Sequence, residues 1–361
     1  MAAAGAAFAE ARVEAVYCVH GTFVGNDALG LVTELARFAP SLSRKLARLG
    51  KRTVDRLVGE AGNYTPGFAA ALQAGLRAGA GRTIPVRLFN WSSQNHHLGR
   101  ADGAVRLIDE LARLADDLPD EKFSDAQPPR IVLWGHSHGG NVLALVTNLL
   151  GADRGARDEF FQAARSFYRP WLRQKTDMPV WPRVRQWLDD PQHPLRRIAL
   201  DVVTFGTPVR YGWDTDGYAR LLHVIHHRPP ENRAEYLAPY PPSLRRIWHA
   251  ADGDYVQQIG IAGTNFLPNP LAVRTLVADW RLGKLLQRNL KREWILKRLR
   301  HGVRVPDEGT TLLVDYRGIT GGVRRHLAGH ALYTRRKWLP FHCQAMVEQF
   351  YGDNRHGAGE V

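Results

Sequence analysis

The sequence predicts an α/β protein in which a mostly parallel central sheet is flanked by helices. Short, fully apolar runs such as IVLW at 131–134 suit strands buried on both faces of a sheet. Between such runs lie stretches of helical periodicity, for example Val105, Leu107, Ile108, Leu111 and Leu114. The two kinds of stretch alternate, as they do where helices connect parallel strands. With 361 residues, 44% of them hydrophobic, the chain is long enough to build a full core and carry insertions.

Taken in order, 13–19 (VEAVYCV) reads as the first strand, closed by His20-Gly21. A helical region over 28–60, broken at Pro40, follows. The second strand is 84–90 (IPVRLFN), and 102–118 is an amphipathic helix. The strand at 131–134 leads through a glycine-rich turn into a buried helix over 141–150 (NVLALVTNLL). Strands are expected at 198–205 (IALDVVTF), 246–250 (RIWHA) and 310–316 (TTLLVDY), and a helix over 341–351 closes the chain. Two stretches break the alternation: 152–197, helical and rich in Arg, Trp and Phe, and 260–305, helical and basic. Both are read as insertions into a single domain over 12–353, lying over the carboxyl edge of the sheet. The Ala-rich start and the polar end are expected to fray.

The net charge of +14 is unevenly spread, with Glu293 the only acid among the bases of 280–304. Leucines at 282, 285, 286, 290, 296 and 299 alternate with those bases. A basic amphipathic segment suits either an anionic membrane surface or a cap helix that packs its leucines and solvates its charges. The packed cap is the reading adopted. No nucleic-acid module accompanies the charge, so no nucleic-acid partner is expected. The first apolar stretch has no basic leader and is interrupted by Glu10, and no window reaches the roughly 18 apolar residues of a span. The two cysteines, Cys18 and Cys343, show no metal-ligand spacing. A cytoplasmic protein is expected.

The segment Gly135-His136-Ser137-His138-Gly139 is G-x-S-x-G, entered from a buried strand and left by a buried helix. That context is what a nucleophile elbow needs: a sharp strand-to-helix turn with the serine at its tip and small residues on either side. Two carboxylates, Asp252 and Asp254, share the loop WHAADGDYV, and His326, His330 and His342 follow the last strand. Further motifs are Val19-His20-Gly21-Thr22-Phe23 after the first strand, Asn90-Trp91-Ser92-Ser93 with Arg100 after the second, and Phe205-Gly206-Thr207-Pro208.

With these motifs the chain resembles the lipase and esterase branch of the α/β-hydrolase superfamily over roughly 12–351. The resemblance implies an α/β-hydrolase fold with helical cap insertions, and ester hydrolysis through an acyl-enzyme on Ser137. The substrate would be an acyl ester or lipid, and no cofactor is expected. In the family's chain order of nucleophile, acid and histidine, the acid is Asp254, followed two residues later by Val256, with Asp252 as runner-up and Asp214 behind it. The base is His330, followed by a tyrosine at 333. The oxyanion hole is implied at the backbone N–H groups of Thr22 and His138, with Phe23 as the alternative to Thr22. His136 and His138, with His20, His96 and His97, match no metal-binding spacing, so no metal is expected. A thioesterase or amidase of the same fold, or a binding module on a hydrolase scaffold, are the competing readings.

Overall fold

The computed structural model describes residues 1–22, 60–123, 127–169, 178–261, 265–266, 268–287, 292–317 and 326–352, with the backbone alone for 292–296. The helical region expected over 28–60 lies outside them for all but its last residue. Phe23 also lies outside.

The first strand forms where expected, β1 at Val13–Val19. It is followed by β2 (Val86–Phe89), β3 (Arg130–His136), β4 (Ala199–Phe205), β5 (Arg220–His226) and β6 (Thr310–Val314). They make one six-stranded sheet in the order β2-β1-β3-β4-β5-β6. Every neighbouring pair is parallel.

Helices cover both faces. Side chains alternate across the pleat, so Ala15, Tyr17, Val19, Ile131, Leu133 and Val202 pack to one side. Val16, Cys18, Val132, Trp134, Val203 and Phe205 pack to the other. A register shift between Val13 and Ala15 puts Val13 on the second face. The first face carries α3 (His97–Asp117) and α4 (His138–Gly151). The second carries α1 (Ala2–Glu10), α2 (Pro66–Ala80) and α11 (Leu339–Phe350).

The insertion over 152–197 supplies α5 (Arg154–Tyr168) and α6 (Val180–Asp189). α6 packs on α3 through Trp181, which is fully buried, donates its indole N–H to Asp102 at 2.9 Å and is surrounded by Phe160, Phe161, Phe167 and Tyr168 of α5. This insertion therefore extends the helical layer beside the sheet, because its aromatic side chains find their partners there. After two short helices, α7 (Leu244–Trp248) and α8 (Tyr255–Gly260), the basic stretch supplies α9 (Val273–Leu286) and α10 (Arg292–His301). One face of α9, with Thr275, Ala278 and Leu282, is buried. Its other face exposes Trp280, over which Lys284 sits at 3.6 Å.

Two sequence expectations are corrected. The start of the chain is not frayed: Ala4 and Phe8 of α1 are buried, and Phe8 meets Tyr351 edge-on. Segment 246–250 is not a strand. Ser243 caps a helical turn there by accepting from the Arg246 N–H, and Leu244 and Trp248 face solvent. The strand in that part of the chain is β5. No helix among the described residues is long and apolar enough to cross a membrane.

The order reverses between β1 and β3: the chain goes outward to β2 on one side, then returns through β3 to β6 on the other. Open α/β sheets bind ligands outside the carboxyl ends of the strands at such a switch point. The turns after β1 and β3 hold His20-Gly21-Thr22 and Ser137.

Candidate active site

Ser137 joins β3 to α4 with φ 55° and ψ −132°. A non-glycine residue with positive φ is strained and needs support from its surroundings. Here the Ser137 N–H donates to the Phe205 carbonyl at 2.9 Å, and its own carbonyl accepts from Thr207 Oγ1 at 2.9 Å and Gly140 N–H at 3.0 Å. Thus the turn Phe205-Gly206-Thr207 after β4 holds the elbow. Serine at a helix start usually caps the helix with its hydroxyl, but the Ser137 side chain makes no capping bond. The space around it requires glycine. A Cβ on Gly21 would fall 2.8 Å from Ser137 Cβ and 3.3 Å from Oγ, and one on Gly139 would fall 2.4 Å from the Val19 carbonyl oxygen.

The loop after β2 shapes the loop after β1. Trp91 donates its indole N–H to the His20 carbonyl at 2.8 Å, and Ser93 donates its hydroxyl to the Gly21 carbonyl at 2.7 Å. With that carbonyl turned toward Ser93, the planar trans peptide turns the Thr22 N–H the opposite way.

Asp254 is fully buried and caps α8, accepting the Gln257 N–H on Oδ1 at 2.9 Å. Its Oδ2 accepts from His330 Nδ1 at 2.7 Å and from the Tyr333 hydroxyl at 3.0 Å. The Asp254 loop is brought to the end of β5 by an Asp254 N–H bond to the His226 carbonyl at 2.9 Å. Below it, the fully buried Arg304 donates to the carbonyls of His226 and Asp254 at 3.2 and 3.1 Å. Burial pushes the Asp254 carboxyl up, but His330, the Gln257 N–H and Arg304 outweigh it and hold the group below the usual carboxylate value. Gly206, at φ 56°, lets the pair close: a Cβ there would stand 2.5 Å from Tyr333 Cε2 and 2.6 Å from Asp254 Oδ2.

His330 packs its ring 4.6 Å from that of His136, the residue before Ser137. His136 in turn donates Nε2–H to the His330 carbonyl at 3.0 Å. Burial, then the nearby His330, push His136 down to about 3, so it is neutral. With Nδ1 of His330 engaged by Asp254, Nε2 is the ring nitrogen left for proton transfer.

The other candidates are engaged elsewhere. Asp252 is held by the Arg246 guanidinium and the Tyr255 hydroxyl. Asp214 caps a short turn by accepting the Asp216 N–H at 3.0 Å. His342 lies between Trp134 and Phe205, its Nε2 bonded to the Tyr316 hydroxyl at 2.6 Å. His326 closes a turn by accepting the Gly329 N–H at 3.3 Å. His138 accepts from Asn141 Nδ2 at 3.2 Å, and burial together with Arg100 and Arg210 pushes it well down. Among the described residues, no group of three or more His, Cys, Asp or Glu side chains is placed to hold a metal ion.

Four residues at the site carried no distinguishing sequence signal. Arg100 appeared only as part of a loop motif and Arg304 only as part of a basic run. Arg210 and Tyr211 belong to no sequence motif. Nothing in their spacing separates the three arginines from the other bases of a chain with 49 Lys and Arg.

Comparison of the chain with protein-family models, with curated proteins and with solved structures finds no match.

Proposed function

We propose that the protein is a serine hydrolase of the α/β-hydrolase type that cleaves carboxylic esters through an acyl-enzyme. The observation that carries this reading is the buried Asp254–His330 pair, closed at 2.7 Å and packed against the elbow that presents Ser137. Supporting it are the chain order of serine, acid and histidine, and the position of the elbow at the switch point of the sheet.

In this mechanism His330 Nε2 takes the proton of Ser137 Oγ as the oxygen attacks the ester carbonyl. Asp254 fixes the tautomer that leaves Nε2 free and stabilises the imidazolium as it forms. A positioned base of this kind is worth about 10²- to 10⁴-fold in rate. Negative charge on the carbonyl oxygen is met by the N–H groups of His138, at the start of α4, and Thr22. One such donor is worth roughly 3 kcal/mol in the transition state. His330 then returns the proton to the leaving alcohol, and water repeats the sequence on the acyl-enzyme.

The test is hydrolysis of p-nitrophenyl esters of rising chain length by the native protein and by Ser137→Ala. The native protein should turn over at least one ester and the variant none above background, with both equally folded. Wild-type turnover by the variant would sink the assignment.

A further inference from the structure

We propose that Arg100 and Arg210, near the elbow of Ser137, form an anion subsite that selects esters carrying a carboxylate or phosphate group. The proposal rests on the serine-hydrolase reading above for the word ester, but not for the anion.

Arg100, on the first turn of α3, is fully buried. Among the described residues its side-chain hydrogen bonds go to neutral oxygens: Nε to the Tyr211 hydroxyl at 2.9 Å, Nη1 to Asn95 Oδ1 at 3.0 Å and Nη2 to Asn265 Oδ1 at 2.6 Å. Arg210 is only 8% exposed, and its Nε has no hydrogen-bond partner among the described residues. Neither arginine has a carboxylate ion-pair partner among those residues. Asp279, on α9, is engaged by the Leu98 N–H at 2.8 Å and by His96 at 3.2 Å.

Both guanidiniums stay charged at neutral pH. Burial and the neighbouring Arg100 lower Arg210 only to about 10. Two neighbouring histidines, His97 and His138, are neutral and so add no further positive charge. His97 is pushed down to about 3 by burial and Arg100, and His138 lower than usual by burial and both arginines. Two like charges buried side by side are costly unless an anion joins them.

Their place relates them to the reaction. Arg210 lies two residues beyond Pro208, whose carbonyl accepts from Asn141 Nδ2 at 3.1 Å. The same Nδ2 donates to His138, the residue after the nucleophile, and Thr207 holds the Ser137 carbonyl. Arginine geometry matches either a carboxylate or a phosphate, so the shared feature is a terminal anionic oxygen group on the substrate.

The experiment compares three butyrate esters on the native protein: 4-carbamoylphenyl (neutral), 4-carboxyphenyl and 4-phosphonooxyphenyl. At least one anionic ester should exceed the neutral one about ten- to hundredfold in kcat/KM, chiefly through KM, as expected for a hydrogen bond to a charged group. The larger preference tells carboxylate from phosphate. Arg210→Gln and Arg100→Gln should cut that preference at least tenfold, and Arg210→Lys should restore part of it. Equal treatment of all three esters by the native protein overturns the proposal, even if the variants fail to fold. So does an equal loss of kcat on neutral and anionic esters in Arg210→Gln. If no ester is cleaved and Ser137 takes no fluorophosphonate, the hydrolase reading has failed. The subsite is then judged by calorimetric titration of the native protein with inorganic phosphate and with benzoate. Binding lost in Arg210→Gln sustains the subsite, and no binding of either anion overturns it.

Discussion

Replacing Asp254 by Asn removes one charge while keeping the shape of the side chain, and the geometry dictates the consequence. Gln257 N–H donates to Oδ1 at 2.9 Å, so the amide oxygen of an asparagine stays there. Its NH2 group then faces His330 Nδ1 and the Tyr333 hydroxyl, which lie 2.7 and 3.0 Å from the present Oδ2. His330 has to accept at Nδ1 and carry its proton on Nε2, the atom that should take the Ser137 proton. Flipping the amide restores the His330 bond only by setting two donors against each other at Gln257, a buried conflict costing about 1–3 kcal/mol. A triad locked in the wrong tautomer loses about 10⁴-fold in kcat, or ~5 kcal/mol of barrier. The assay is steady-state hydrolysis of the best p-nitrophenyl ester, with thermal melting to show that the variant folds. Because the folded carboxyl is held below its unfolded value, its ionised form adds stability at neutral pH. That contribution is present above about pH 4 and fades as pH falls through the folded value. The stability gap between native and Asp254→Asn should therefore narrow in acid. Asp252→Asn, whose carboxylate serves Arg246 and Tyr255, should keep kcat within a few-fold. An Asp254→Asn variant retaining a tenth of native kcat, or an Asp252→Asn variant losing as much as Asp254→Asn, would refute this chain of reasoning.

His330→Ala should lose about 10³-fold or more in kcat. His342→Ala should lower the melting temperature through the cavity it leaves beside Trp134 and Phe205, while kcat at a permissive temperature stays within about threefold. Gly206→Ala drives a methyl against the buried Tyr333 ring and Asp254 carboxylate, so activity should fall at least about a hundredfold, measured on the same ester. Leu282→Ala, at a fully buried position of α9, should cost about 2–5 kcal/mol in urea unfolding. With α9 packed in this way, the protein should not co-sediment with anionic vesicles in a salt-sensitive manner. Salt-sensitive binding lost on replacing Arg281 and Lys284 by Gln would show instead that the outer face of α9 meets a membrane.

The parts of the fold that the sequence disclosed are those where one physical demand dominates. β1 and β3 are apolar but for Glu14 in β1 and Arg130 and His136 at the ends of β3, because both of their faces are covered, and the elbow needs its glycines for space. β5 was not legible because Arg220, His223 and His226 interrupt its apolar run. In the fold His223 behaves as an apolar group: burial pushes it down to about 3, and Thr204 satisfies one ring nitrogen at 2.6 Å. Segment 246–250 misled for the opposite reason, since Ile and Trp suit a strand but Ser243 caps a helical turn. Asp254 reaches the end of β5 through a loop that folds back onto it, with His227 bridged to Gly253. The pairing of Asp254 with His330 follows the chain order of the resemblance. Arg100 and Arg210 were not legible, because their meaning lies in burial without a counter-charge among the described residues, and a sequence does not show burial of an arginine.

The central claim, that Ser137 is an activated nucleophile, is tested most directly by reacting the folded protein with a fluorophosphonate and mapping the adduct by peptide mass spectrometry. The account predicts a single stoichiometric adduct on Ser137, blocked by prior incubation with a cleavable ester, absent in Ser137→Ala and strongly slowed in His330→Ala. An adduct on another residue, or an unlabelled Ser137 in a protein that cleaves esters, would contradict it.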